Sequence, residues 1–164
     1  MKQMTLRKLE DKDAPFMLEW VHDQDINKCF RKPFKSATME SVLNFIHNSF
    51  DDENQHFAIV DEYDQYLGTI SLKDIHHNDN CAEYANVVRK SVKGEGNALK
   101  ATQELFEYAK NQLHLHRIYL NVLAENKRAR MFYETCGYDE VGREREAVML
   151  EGQYKDLMWY NHIL

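Results

Sequence analysis

The stretch of this 164-residue chain that most invites chemistry is Lys93-Gly94-Glu95-Gly96-Asn97-Ala98. The chain has only six glycines, and two of them stand one residue apart here, directly before a long helical pattern. A helix start leaves its first N–H groups unpaired and carries partial positive charge. Glycine at that point lets a bulky anion come close to the backbone. The turn therefore reads either as a cradle for phosphate or pyrophosphate, or as a tight strand-to-helix connection with nothing bound. A Walker-type loop would need Gly-Lys-Ser/Thr after it to hold a nucleotide's magnesium, and a dinucleotide fold needs three glycines in its own spacing. Neither pattern is met, so an anion that needs no metal fits better.

The other reactive side chains are less organised. Cys29, Cys81 and Cys136 are far apart and odd in number, which suits free thiols in a reducing cytoplasm. The eight histidines show no ligand spacing with carboxylates or cysteines, so no metal is expected. A net charge of −6 argues against a nucleic-acid partner, which asks for a basic face. The one dense basic cluster, Asn126-Lys127-Arg128-Ala129-Arg130, is either a solvated helix face or a local anion site. No apolar run approaches the roughly 20 residues of a membrane span, and "MKQMTLRKLEDKD" lacks the apolar core of a signal peptide. A cytoplasmic protein with no membrane partner is the expectation, built as one domain over residues 1–164.

The elements that must position these residues follow from periodicity. Met4 to Leu9 alternates as a first strand. Asp13 is expected to cap a helix with Pro15 in its first turn. Thr38 caps a second helix, with Val42, Leu43, Phe45, Ile46 and Phe50 on one side. "HFAIVDE" and "YLGTISLKDI" are strands joined by a polar turn, and "CAEYANVVRK" is a further strand. After the glycine turn a helix runs to about Gln112. In "HRIYLNVLAE" Ile118, Leu120 and Val122 share one face and Tyr119 and Asn121 the other. A short helix through "KRARMFYETC" ends at Gly137. Two strands around Glu151-Gly152 close the chain. The order is β-α-α-β-β-β-α-β-α-β-β, an α/β arrangement with helices packed on a mixed sheet.

The order of elements, the K-G-E-G-N-A turn and the later "AENKRARMFYETCGY" together resemble the GNAT superfamily of N-acetyltransferases. Lys93, Gly96 and Ala98 stand at the positions of the family's Gln/Arg-x-x-Gly-x-Gly/Ala signature, with Lys93 the departure. Asn126, Ala129 and Tyr133, followed by Cys136-Gly137-Tyr138, match its second cofactor element. The resemblance spans essentially the whole chain. It implies a GNAT fold: a mostly antiparallel seven-stranded sheet, splayed in the middle, with about four helices on both faces. It also implies acetyl-coenzyme A as cosubstrate, with the N–H groups of Lys93, Gly94, Glu95, Gly96, Asn97 and Ala98 on the pyrophosphate. The pantetheine arm would pair with the backbone near Val88, Asn126 and Ala129 would contact it from the other side, and Lys127 and Arg128 could meet the 3′-phosphate.

The family pattern puts the Tyr133 hydroxyl beside the cofactor sulfur. A thiol near pKa 8.5 and a phenol near 10 make proton transfer to the leaving thiolate uphill by only about 2 kcal/mol, so Tyr133 suits a general acid. A lysine-like amine of pKa about 10.4 is neutral only about once in a few thousand at pH 7. A base is therefore useful: Glu83 is the first candidate, His22 and His76 the next. Cys136 offers a rival acyl-enzyme route but has no base evident beside it. For the amine, the N-terminal segment is similar to that of acetyltransferases acting on a nucleotide-linked 4-amino sugar in pseudaminic acid synthesis, with Trp20 and His22 expected to line the pocket. The closing strands are shared with ribosomal-protein N-terminal and polyamine acetyltransferases, which are the alternatives, as is an acetyl-CoA-binding domain without turnover. The small-molecule amine is the expected partner, and a homodimer is compatible with the resemblance.

Overall fold

The computed structural model describes residues 5–23 and 37–164. Seven strands form one sheet in the order β1-β2-β3-β4-β5-β7-β6. They are β1 (Leu6–Lys8), β2 (Gln55–Val60), β3 (Tyr66–His76), β4 (Cys81–Val88), β5 (Arg117–Leu123), β6 (Asp139–Leu150) and β7 (Gln153–Ile163). Among the described residues four α-helices pack on it: α1 (Ala14–Val21), α2 (Met39–His47), α3 (Asn97–Asn111) and α4 (Lys127–Thr135). Every strand pair is antiparallel except β4 with β5, which the crossover through α3 makes parallel. This is the mixed, mostly antiparallel α/β sheet that the resemblance implies, with the element order expected from periodicity. Met4, expected to open β1, and Cys29 lie outside the described residues.

Each sheet face has its own core. Alternation along β3, β4, β5 and β7 sends Ile70, Leu72, Ala82, Tyr84, Ile118, Leu120, Met158 and Tyr160 to the face that meets Ala101, Leu105, Phe106 and Ala109 of α3. Ala58 and Val60 go to the opposite face, where Ala14, Met17, Trp20 and Val21 of α1 and Val42 and Ile46 of α2 close over them. Val122 is only half-buried, and Phe45 is 41% exposed, its ring edge-on to His56 rather than in the core.

The starts of α1 and α2 show how helix ends follow, or lose, their side-chain caps. Thr38 Oγ1 accepts from Ser41 N–H, while Ser41 Oγ accepts from Thr38 N–H, a reciprocal cap on α2. Asp13 stands before α1 as expected, yet its carboxylate makes no cap bond there. It is buried and taken by both terminal nitrogens of Arg7, each at 2.8 Å, and by Glu10 N–H. A bidentate pairing with a guanidinium outcompetes a cap bond to an uncharged backbone N–H.

Candidate active site

Arg117, Ile118 and Tyr119 pair with Cys81, Ala82 and Glu83, and the parallel ladder then stops. β4 runs on to Val88 and β5 to Leu123 with no pairing between them, so the sheet opens into a slot whose apex is the pair Glu83–Tyr119. Arg89 N–H donates to Leu67 O at 2.8 Å, and Gly68 lies opposite Val88. By alternation, the backbone groups of Asn86 and Val88 point away from β3 and into the slot. β3 and β4 approach so closely here that a Cβ on Gly68 would collide with the Val87 carbonyl oxygen. Gly68, a mid-strand glycine that belongs to no motif, permits that close approach.

The turn at residues 93–98 sits at the open end of the slot. Gly94 and Gly96 have φ of 90° and 79°, left-handed values that glycine adopts without strain. Gly96 is the N-cap of α3 and provides no side-chain cap, unlike Thr38 for α2 and Asn126 for α4. A Cβ at either glycine would meet no protein atom within 4 Å, so the space over the turn is open. Lys93 departs from the expected donor set: its N–H turns back toward Lys90 O at 3.4 Å, closing a 3-10 turn, and its side chain is exposed. Glu95 is exposed, and Asn97 and Ala98 are half-buried in the first turn of α3. The residues present thus fit a pyrophosphate held by backbone amides.

Tyr133 stands at the other end. Its ring lies 6.0 Å from Tyr84, 5.9 Å from Tyr138 and 6.2 Å from Tyr160. Tyr84 is the first β4 residue beyond the ladder, and Tyr160 is paired with Leu120 of β5. The box of rings therefore seats Tyr133 at the apex, on the α3 and α4 face. Ala129 and Phe132 are half-buried on the same helix, as the i, i+3, i+4 spacing requires. Asn126 Oδ1 caps α4 by accepting from Ala129 N–H at 3.2 Å, which commits the oxygen and leaves the amide NH2 as its donor. Lys127 and Arg128 are exposed at this helix start.

Glu83 is half-buried on the opposite face of the sheet, 3.8 Å from Lys73 Nζ across the β3–β4 ladder. Acid and base candidates thus stand on either side of the slot's apex. The remaining expected residues are placed elsewhere. Trp20 is 9% exposed in the core under α1, donating from its indole N–H to Tyr66 Oη at 3.2 Å, so packing accounts for it. His22 is exposed at the end of α1, with Nε2 3.0 Å from Ala37 O. The rest of the segment expected to line the amine pocket, residues 24–36, lies outside the described residues. His76 faces Asp79 at the far end of β4 from the slot. Cys136 is buried, and burial pushes its thiol up to about 11, the reverse of what an acyl-accepting nucleophile needs. Among the described residues no cluster of His, Cys, Asp or Glu could hold a metal ion, and no helix is long and apolar enough to cross a membrane.

Comparison with known proteins agrees with this geometry. A family model described as an acetyltransferase (GNAT) domain matches residues 3–139. A spermidine N(1)-acetyltransferase of Vibrio cholerae is 30% identical, covering 94% of this chain and 90% of that protein. A ribosomal protein uS5-alanine N-acetyltransferase of Escherichia coli is 22% identical, over 94% and 84% of the two chains. Among solved structures, the V. cholerae spermidine N-acetyltransferase in complex with CoA and spermine superposes with a TM-score of 0.89 at 25% identity, covering 99% of this chain and 96% of that one.

Proposed function

Since the chain belongs to the GNAT family of acetyltransferases and transfers acetyl groups from acetyl-CoA to amines, we propose that its amine is a polyamine of the spermidine and spermine class. The observation that carries this reading is the likeness, over nearly the full length of both chains, to spermidine acetyltransferases. It displaces the amino-sugar expectation, which rested on the N-terminal segment, to second rank. The sheet surface beside the slot, on the side away from α3 and α4, supports the choice. Glu83 stands at its apex, and Trp159, paired with Asn121 of β5, donates its indole N–H to Glu144. Carboxylates beside an aromatic face suit a flexible polycation.

Bound acetyl-CoA would supply an activated acyl group. The amides of residues 94–98 would neutralise its pyrophosphate, the backbone at Val88 would hold the arm as an added strand, and the Asn126 amide would bind it from α4. Glu83 would take a proton from the incoming ammonium, directly or through water. Tyr133 would give its hydroxyl proton to the departing thiolate. Transfer is direct, with Cys136 a bystander.

The test is release of coenzyme A thiol with spermine and spermidine, a UDP-linked 4-amino sugar, and ribosomal-protein N-terminal peptides. Turnover with the polyamines at least tenfold above the others is expected. Turnover confined to the amino sugar restores the first ranking, and cofactor binding without turnover on any amine makes this a binding domain. Self-association is proposed on the same footing, since a V. cholerae relative is described as dodecameric; sedimentation velocity of this chain checks it.

A further inference from the structure

A chain of hydrogen bonds connects the two ends of the slot through the protein interior. Asn86 Nδ2 lies 2.9 Å from Tyr84 Oη, Tyr84 Oη lies 2.7 Å from Thr102 Oγ1, and Thr102 Oγ1 lies 2.7 Å from Ala98 O. Its ends fix its direction. A backbone carbonyl only accepts and an amide nitrogen only donates. So Thr102 donates to Ala98, Tyr84 donates to Thr102, and Asn86 donates to Tyr84. Tyr84 and Thr102 are almost fully and fully buried, at 3% and 0% exposure, while Asn86 is half-buried on the stretch of β4 that has no pairing with β5. Burial holds the Tyr84 phenol well above its ordinary pKa, so it keeps the proton that the chain needs. Bonds aligned in one direction in a low-dielectric interior strengthen one another.

The termini of this chain matter more than its middle. Asn86 belongs to the wall that borders the slot near its apex, and Ala98 to the first turn of α3, over which the phosphates would sit. No other described side-chain bond joins β4 to that turn. We propose that Asn86, Tyr84 and Thr102 are positioning residues that set the spacing between the thioester end of the slot and the pyrophosphate end, with Thr102 as the hub. This rests on reading the slot as the coenzyme site. A ligand that spans both ends is sensitive to that spacing. A ligand that occupies only the phosphate end is not.

The experiment is isothermal titration of the wild-type chain and of Tyr84→Phe, Thr102→Val and Thr102→Ser with two probes, coenzyme A and 3′-phospho-ADP. Melting curves are recorded for each protein. Tyr84→Phe and Thr102→Val each remove two uncharged hydrogen bonds of the chain, and each should weaken coenzyme A by about three- to tenfold. Affinity for 3′-phospho-ADP should change less than twofold in both. Thr102→Ser, which keeps the hydroxyl, should restore coenzyme A binding. The double variant Tyr84→Phe/Thr102→Val should be no weaker than the worse single variant, because the same chain is broken once. Equal weakening of both probes, or lowered melting with coenzyme A binding intact, overturns the positioning role. Failure of the wild-type chain to bind either probe overturns the coenzyme reading itself. Should Thr102→Val not fold, Tyr84→Phe, which removes one oxygen and keeps the ring contacts, decides between these outcomes.

Discussion

Tyr133 and Cys136 lie three residues apart on α4 and its cap, and their surroundings assign them opposite chemistry. Tyr133 is boxed by rings at the slot's apex, whereas the Cys136 thiol is buried and its pKa is held near 11. Tyr133→Phe keeps the ring in its box and removes the proton, so turnover should fall by roughly 10²–10⁴-fold with little change in cofactor affinity. Cys136→Ala should leave the rate nearly unchanged. Full turnover in the first variant with a dead second one would reinstate an acyl-cysteine. At Gly96 the φ of 79° is the obstacle to substitution, since no protein atom crowds the site. Gly96→Val should therefore cost backbone strain of about 1–2 kcal/mol and push its methyls into ligand space, raising the acetyl-CoA KM sharply. His56 is a separate case. Burial, then the charge of Lys73, lowers its pKa to about 4. The unfolded chain binds the proton first as pH falls, so this group's stabilisation is complete above about pH 6.5 and is lost between 6.5 and 4, up to about 3 kcal/mol. His56→Gln should flatten the melting temperature across that window, and an unchanged slope would show that other groups set it.

The elements are largely legible in the sequence, because period 2 and period 3.6 separate well in this chain. The turn at Glu151 and Gly152, with φ of 51° and 75°, was marked by its composition alone. What escaped the sequence depends on partners far away in the chain. Arg7 draws Asp13 from its cap, Tyr66 takes the Trp20 indole, and Tyr84 meets Thr102 across 18 residues. No local pattern encodes such pairs. The slot itself was legible only through family resemblance, since nothing in "CAEYANVV" says where pairing with β5 should stop. Asn126 illustrates one residue serving an element and a site at once. Asn126→Asp keeps the oxygen that caps α4 and loses the amide donor, so melting should hold while the acetyl-CoA KM rises. Asn126→Ala should lose both, with about 0.5–2 kcal/mol of stability. Equal KM values for the two variants and the wild type would leave Asn126 with the cap alone.

At the scale of the molecule, the sheet is two half-sheets, β1 to β4 and β5 to β7 with β6, joined by three residue pairs and by α3. Beyond Glu83 and Tyr119, β4 and β5 each carry a row of backbone donors and acceptors with no described strand opposite. Those rows are sheet edges, placed in the middle of the protein instead of at its margin. An uncovered edge is a template for another chain. A cofactor arm that pairs with Val88 would cover one of them, so the coenzyme would act as a guard against self-templated aggregation as well as a reactant. Amides of Asn86 and Val88 should exchange with deuterium like those of a margin strand and become protected when coenzyme A is added. Light scattering during mild heating should then start later in coenzyme A than in buffer, by more than the shift in melting temperature explains. Identical onset after correction for that shift would mean that the inner edges are harmless. If the delay holds, a cell short of acetyl-CoA would lose this enzyme to precipitation before it lost it to unfolding.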